Sequence, residues 1–72
     1  MMSEQKAHEY TYSIHFAPEL GGYVAHVAEF PELKSPAAAT PQAAFDGLIT
    51  LVVKELDYLH DAGRPQPLTP TH

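Results

Sequence analysis

The chain contains no cysteine. No disulfide can staple it, and no thiolate can hold zinc. That absence suits a reducing compartment. Positive charge is scarce too. Lys6, Lys34, Lys54 and Arg64 lie scattered among nine Asp and Glu, for a net charge of −5. Nucleic-acid binding by counterion release needs clustered cations, so direct binding of DNA or RNA is not expected. No run of about 18 apolar residues is present to form a membrane-spanning helix. The N-terminal MMSEQKAHE lacks the apolar centre of a secretory signal, so the expected location is cytoplasmic.

What remains is one small domain of 72 residues. At this size only about 60% of the unfolded chain's surface can be buried. With neither disulfide nor zinc-binding thiolate, association with another chain is the readiest source of extra stability. An acidic surface suits a basic protein partner through steering and complementarity. The same charge also keeps a small protein soluble.

The chain turns on Gly21 to Leu33, GGYVAHVAEFPEL. Paired glycines mark a turn. Tyr23 to Glu29 then reads as a strand, with Tyr23, Ala25 and Val27 on one face and Val24, His26 and Ala28 on the other. Pro31 lacks a backbone N–H and stops the ladder. Upstream, Glu9 to Phe16 alternates, with Tyr10, Tyr12, Ile14 and Phe16 on one side. Pro18 and the glycines reverse the chain between the two strands. Setting Phe16 opposite Tyr23, Ile14 opposite Ala25 and Tyr12 opposite Val27 puts both apolar sets on one face. Met1 to His8 lacks periodicity and is expected to fray.

KSPAAA, residues 34–39, reads as a loop by composition, since Pro36 confines any strand there to an edge or bulge. Thr40 is a helix N-cap and Pro41 sits at the favoured first position. The helix should run to about Ala62, with Phe45, Leu48, Ile49, Val52, Leu56 and Leu59 in one stripe flanked by Leu51 and Tyr58. Gly47 is a weak point in it, through close backbone approach or tolerated drift. Gly63 caps its end and Pro65 prevents resumption. Arg64 to His72 reads as an extended tail.

The Gly-Gly turn, Tyr-Val strand start and Phe-Pro-x-Leu exit resemble the N-terminal domain of HicB-like antitoxins. Thr40-Pro41-Gln42-Ala43-Ala44 is similar to that family's Thr-x-Glu-Glu-Ala helix start. Gly63 to Pro67 is similar to its Gly-x-x-x-Pro exit. The likeness runs from about Tyr10 to Pro67. It departs at Ala38-Ala39, where the family has Gly-Asp, and the DNA-binding segment that many relatives carry after this domain is not expected here. The resemblance implies an α+β, antiparallel β-β-β-α two-layer domain with a partial ribonuclease-H-like fold. A short third strand is then expected near Leu33 to Ala38. The single domain would span 1–72, with an ordered core of about 9–64 and tails at 1–8 and 66–72. The resemblance also implies neutralisation of a small RNA-cleaving HicA-type toxin by contact. The alternative is a solitary homo-oligomer, a dimer first, without a toxin.

No catalytic, cofactor or metal site is expected. Of the acids, only Glu9 and Glu29 stand near strand ends, and the register points them to opposite faces, so a two-metal carboxylate site is not formed. His15 and His26 are diagonal neighbours on the face away from the helix. Two imidazoles could bind metal or sense pH, but no third ligand stands at fixed spacing, and an outer or interfacial sheet face is the expectation. The tyrosines lack the cations of a base-stacking platform and read as core and rim. The expected contact residues are Val24, His26, Ala28 and His15 on that sheet face, with Leu51 and Tyr58 beside the helix stripe.

Overall fold

The computed structural model describes residues 2–68, with side chains from residue 5 onward. The order is α1 (Met2–Ala7), β1 (Tyr12–Ala17), β2 (Gly22–Val27) and α2 (Pro41–Asp61). This is an α+β arrangement with a two-stranded antiparallel sheet and one long helix. The register pairs Phe16 with Tyr23, Ile14 with Ala25 and Tyr12 with Val27, as side-chain alternation predicts.

The hairpin turn shows its chemistry plainly. Pro18 follows Ala17, whose carbonyl accepts from the Leu20 and Gly21 amides. The two glycines do different work. Gly21 takes a φ of 70°, a left-handed conformation with open space around it. Gly22 is needed for room, because a Cβ there would stand 2.8 Å from the Ala38 carbonyl oxygen.

The third strand expected over Leu33–Ala38 does not form as a regular strand. The segment lies along the free flank of β2 and touches it at two isolated bridges, Tyr23 with Ala38 and His26 with Lys34. Between these bridges β2 advances from 23 to 26 and the segment from 34 to 38, so the segment carries one extra residue. It is a bulge containing Pro36, which has no N–H to give. Ser35 Oγ stands as acceptor where a regular ladder would offer a carbonyl. The Ala25 amide donates to Ser35 Oγ at 2.8 Å, and the Ser35 amide donates to the Ala25 carbonyl at 3.0 Å.

α2 begins as its sequence dictates. Thr40 Oγ1 accepts from the Ala43 amide at 3.1 Å, and Pro41 follows. It ends in a Schellman motif: Gly63, at φ 68°, donates to the His60 carbonyl and Arg64 donates to the Leu59 carbonyl. Gly47 needs no close approach, since a Cβ there would meet only Ser35 Cβ at 4.0 Å.

The core joins Ala44, Leu48, Ile49, Val52 and Leu56 of α2 to Ala25 and Val27 of β2, with Ala7, Tyr10 and Phe30. Phe45 and Leu59 pack at its margin. Ile14 and Phe16, expected in this core, are instead 38% and 52% exposed. The helix sits over β2, leaving the end of β1 uncovered.

Both expected tails are corrected where they fall among the described residues. Residues 2–7 form α1, and Ala7 is fully buried. Lys6 Nζ donates to Gln66 Oε1 at 2.7 Å, Gln66 Nε2 donates to the Leu56 carbonyl at 2.9 Å, and Tyr10 Oη donates to the Pro67 carbonyl at 2.6 Å. The two ends thus close over one another beside α2. The rest of the expected tail, 69–72, lies outside the described residues.

Val52 is fully buried, so Val52→Asp should unfold the domain, because an isolated charge cannot be carried into that core. Loss of the thermal transition checks it. Ser35→Ala orphans the buried Ala25 amide and should cost about 1–3 kcal/mol in urea denaturation.

Candidate interaction surface

The sheet has two unlike faces. Tyr12, Ile14 and Phe16 point to the α2 side with their partners Tyr23, Ala25 and Val27. Ser13, His15, Val24 and His26 point away. Of the residues expected to make contacts, the structure gathers His15, Val24 and His26 on that outer face. The His15 and His26 rings stack, 5.1 Å between centroids and 9° between planes. His15 is exposed and His26 half-buried. Val24 is only 4% exposed, so it serves packing and offers no contact surface. Ala28 is exposed just past β2, its amide donating to the Thr11 carbonyl. Leu51 is half-buried against the core on α2, and Tyr58, on the same helix, is exposed. The six residues therefore do not make one patch.

The larger apolar exposure lies where sequence reasoning placed core. Ile14, Phe16 and Leu20 are all exposed, along β1 and in the turn that follows it. The Phe16 ring meets the flanking Tyr23 ring edge to face, 5.2 Å between centroids. Alternation alone assigns Ile14 and Phe16 to the helix side and cannot say how far the helix extends over it. The one available signal was strand order: a first strand paired on one side only is half covered.

Of the acids near the strands, Glu29 is engaged in structure. Glu29 accepts from the Thr11 amide at 2.9 Å and the Thr11 hydroxyl at 3.0 Å, closing the open end of the hairpin. Among the described residues, no three His, Asp or Glu side chains converge as metal ligands. No described helix is long and apolar enough to cross a membrane.

Two tyrosines sit in this region. Burial raises the Tyr10 phenol above its ordinary range, and the charges of Glu29 and Glu9 add to it. Burial pushes Tyr12 up to about 12, with Glu29 and then Tyr10 contributing. The Tyr12 hydroxyl donates to the Ala7 carbonyl, tying β1 to α1. Its ring stands edge-on to Phe45, 5.1 Å between centroids.

The folded state holds the Tyr12 proton more tightly than the unfolded chain does. Stability from this group is therefore complete below pH 10 and is lost as pH rises toward about 12. The thermal midpoint should fall across that window, with tyrosinate absorbance rising in step. Tyr12→Phe should lower stability near neutral pH by about 1 kcal/mol, through the lost hydrogen bond, and make the alkaline decline shallower.

No protein-family model, no curated protein and no solved structure matches this chain.

Proposed function

We propose that this chain is a HicB-like antitoxin-type module that binds and neutralises a small RNA-cleaving HicA-type toxin by direct contact, with no catalysis of its own. The observation that carries the reading is the exposed apolar set of Ile14, Phe16 and Leu20 on a domain of net charge −5. Exposed apolar side chains on an acidic domain suit a basic protein partner. The residues behind the family resemblance support it as well. Gly21 and Gly22 form the hairpin turn, Thr40 and Pro41 start α2, and Gly63 ends it. A toxin whose substrate is RNA would itself be basic, so charge would steer the encounter and apolar contact would hold it. The neutralising partner would be the folded domain in the cytoplasm, without nucleic-acid affinity of its own.

A second reading, a homo-oligomer without a toxin, is favoured by one specific feature. Among the described residues β1 pairs through one side only, and it carries no formal charge. Unprotected strand edges invite pairing.

Co-expression with a short basic reading frame adjacent to the gene tests the first reading. Rescue of growth and co-purification of the two chains are the expected results. Failure of both, with each chain expressed, overturns it. The purified protein should cleave no RNA. Metal-dependent cleavage abolished by one Asp or Glu substitution would show an enzyme instead.

A further inference from the structure

β2 is bonded on both flanks, by β1 on one side and the 34–38 segment on the other. Among the described residues β1 has only the one neighbour. The direction of its free groups follows from the ladder. The Ala28 amide donates to the Thr11 carbonyl, so the odd-numbered residues of β1 face β2. The far flank of β2 agrees, since Tyr23 exchanges both bonds with Ala38 there and Ala25 bonds to Ser35. The N–H and C=O groups of Tyr12, Ile14 and Phe16 therefore point outward along the open edge.

Proteins ordinarily blunt such an edge with lysine, proline, a bulge or a covering loop. The 34–38 flank has three of these devices, Lys34, Pro36 and the bulge, and it is the flank that is already occupied. β1, YSIHFA, has no charged residue and no proline, and its pairing to β2 runs unbroken from residue 12 to residue 17.

We infer that the open edge of β1 pairs antiparallel with β1 of a second copy of this chain, about a two-fold axis at Ile14. This deepens the homo-oligomer reading and does not depend on a toxin. The register is self-complementary. With Ile14 opposite its own copy, Tyr12 stands opposite Phe16 and Ser13 opposite His15. Every outward group on β1 then finds a partner, in three narrow pairs that each exchange two hydrogen bonds. Apolar residues meet apolar residues on the helix side, and polar meet polar on the other.

Charge selects the occupant. Two copies of a chain with net charge −5 repel one another at long range. A two-fold contact also places each residue on the axis against itself. Only a segment without formal charge can sit there without added repulsion, and β1 is such a segment. Pairing would also draw the exposed Ile14 and Phe16 of both copies together across the new seam.

The test uses the full chain. Light scattering at micromolar concentration should give twice the 7.9 kDa monomer mass. Ile14→Pro removes one outward N–H and leaves the bonds to β2 in place, and Ile14→Lys sets two charges against each other at the axis. Whichever of the two keeps the wild-type circular dichroism should run as a monomer. Because the chain has no cysteine, Ile14→Cys reports pairing directly. Opposed Cα atoms in a narrow pair lie about 5.5 Å apart, within disulfide reach. Mild oxidation should yield a covalent dimer, whereas Tyr58→Cys should not crosslink. A monomeric wild type overturns the inference. So does a dimer that persists in a folded Ile14→Lys or Ile14→Pro variant. Since the readout is mass, its failure leaves growth rescue as an independent test of toxin neutralisation.

Discussion

The main chain of β2, bonded on both sides, is the constraint on which this fold depends. Ala25 sits at its centre with no exposed surface, under the stripe of α2. A buried amide without a partner would cost about 1–3 kcal/mol. β1 satisfies one flank by an ordinary ladder. The other flank is met by a segment whose proline forbids a ladder, and the serine before it supplies the acceptor with its side chain. Gly22 is small enough to let that segment come close. Residues that look like loop composition in isolation thus complete the sheet.

With one helix on one side of a two-stranded sheet, the core is open at its ends. The termini close it. α1 buries Ala7, Tyr10 packs edge-on to Phe30 at 5.5 Å, and the chain after α2 returns to accept the Tyr10 hydroxyl. The Lys6–Gln66–Leu56 bonds bridge the first helix, the last described segment and the back of α2. In a domain of this size such closure is a sizeable share of the burial available. The raised titration of Tyr10 and Tyr12 follows from the same closure, because their phenols are taken out of water beside Glu29.

What is left open bears on function. The helix covers β2 and leaves β1 as an uncharged edge with Ile14 and Phe16 beside it. The outer face is partly closed on itself by the stacked His15 and His26 and by buried Val24. Contact is therefore better served by the edge and its apolar flank than by the middle of the outer face. The proposed partners, a basic toxin or a second copy, differ in how they would use this edge, since only the second copy makes use of its symmetry.

The sequence by itself determined the local elements and their register. Period-2 alternation and the Gly-Gly turn placed Phe16 against Tyr23, and Thr40, Pro41 and Gly63 bounded α2, because turns, caps and strand alternation are decided by neighbours within a few residues. Pro36 announced a bulge or an edge for the same reason. Only the tertiary structure decided where α2 lies across the sheet, and so that Ile14 and Phe16 emerge while Val24 is buried. It also decided that residues 2–7 form part of the fold. α1 has no periodicity of its own and is held by Ala7 in the core and by a glutamine 60 residues from Lys6, a contact between positions too distant in sequence for any local pattern to record.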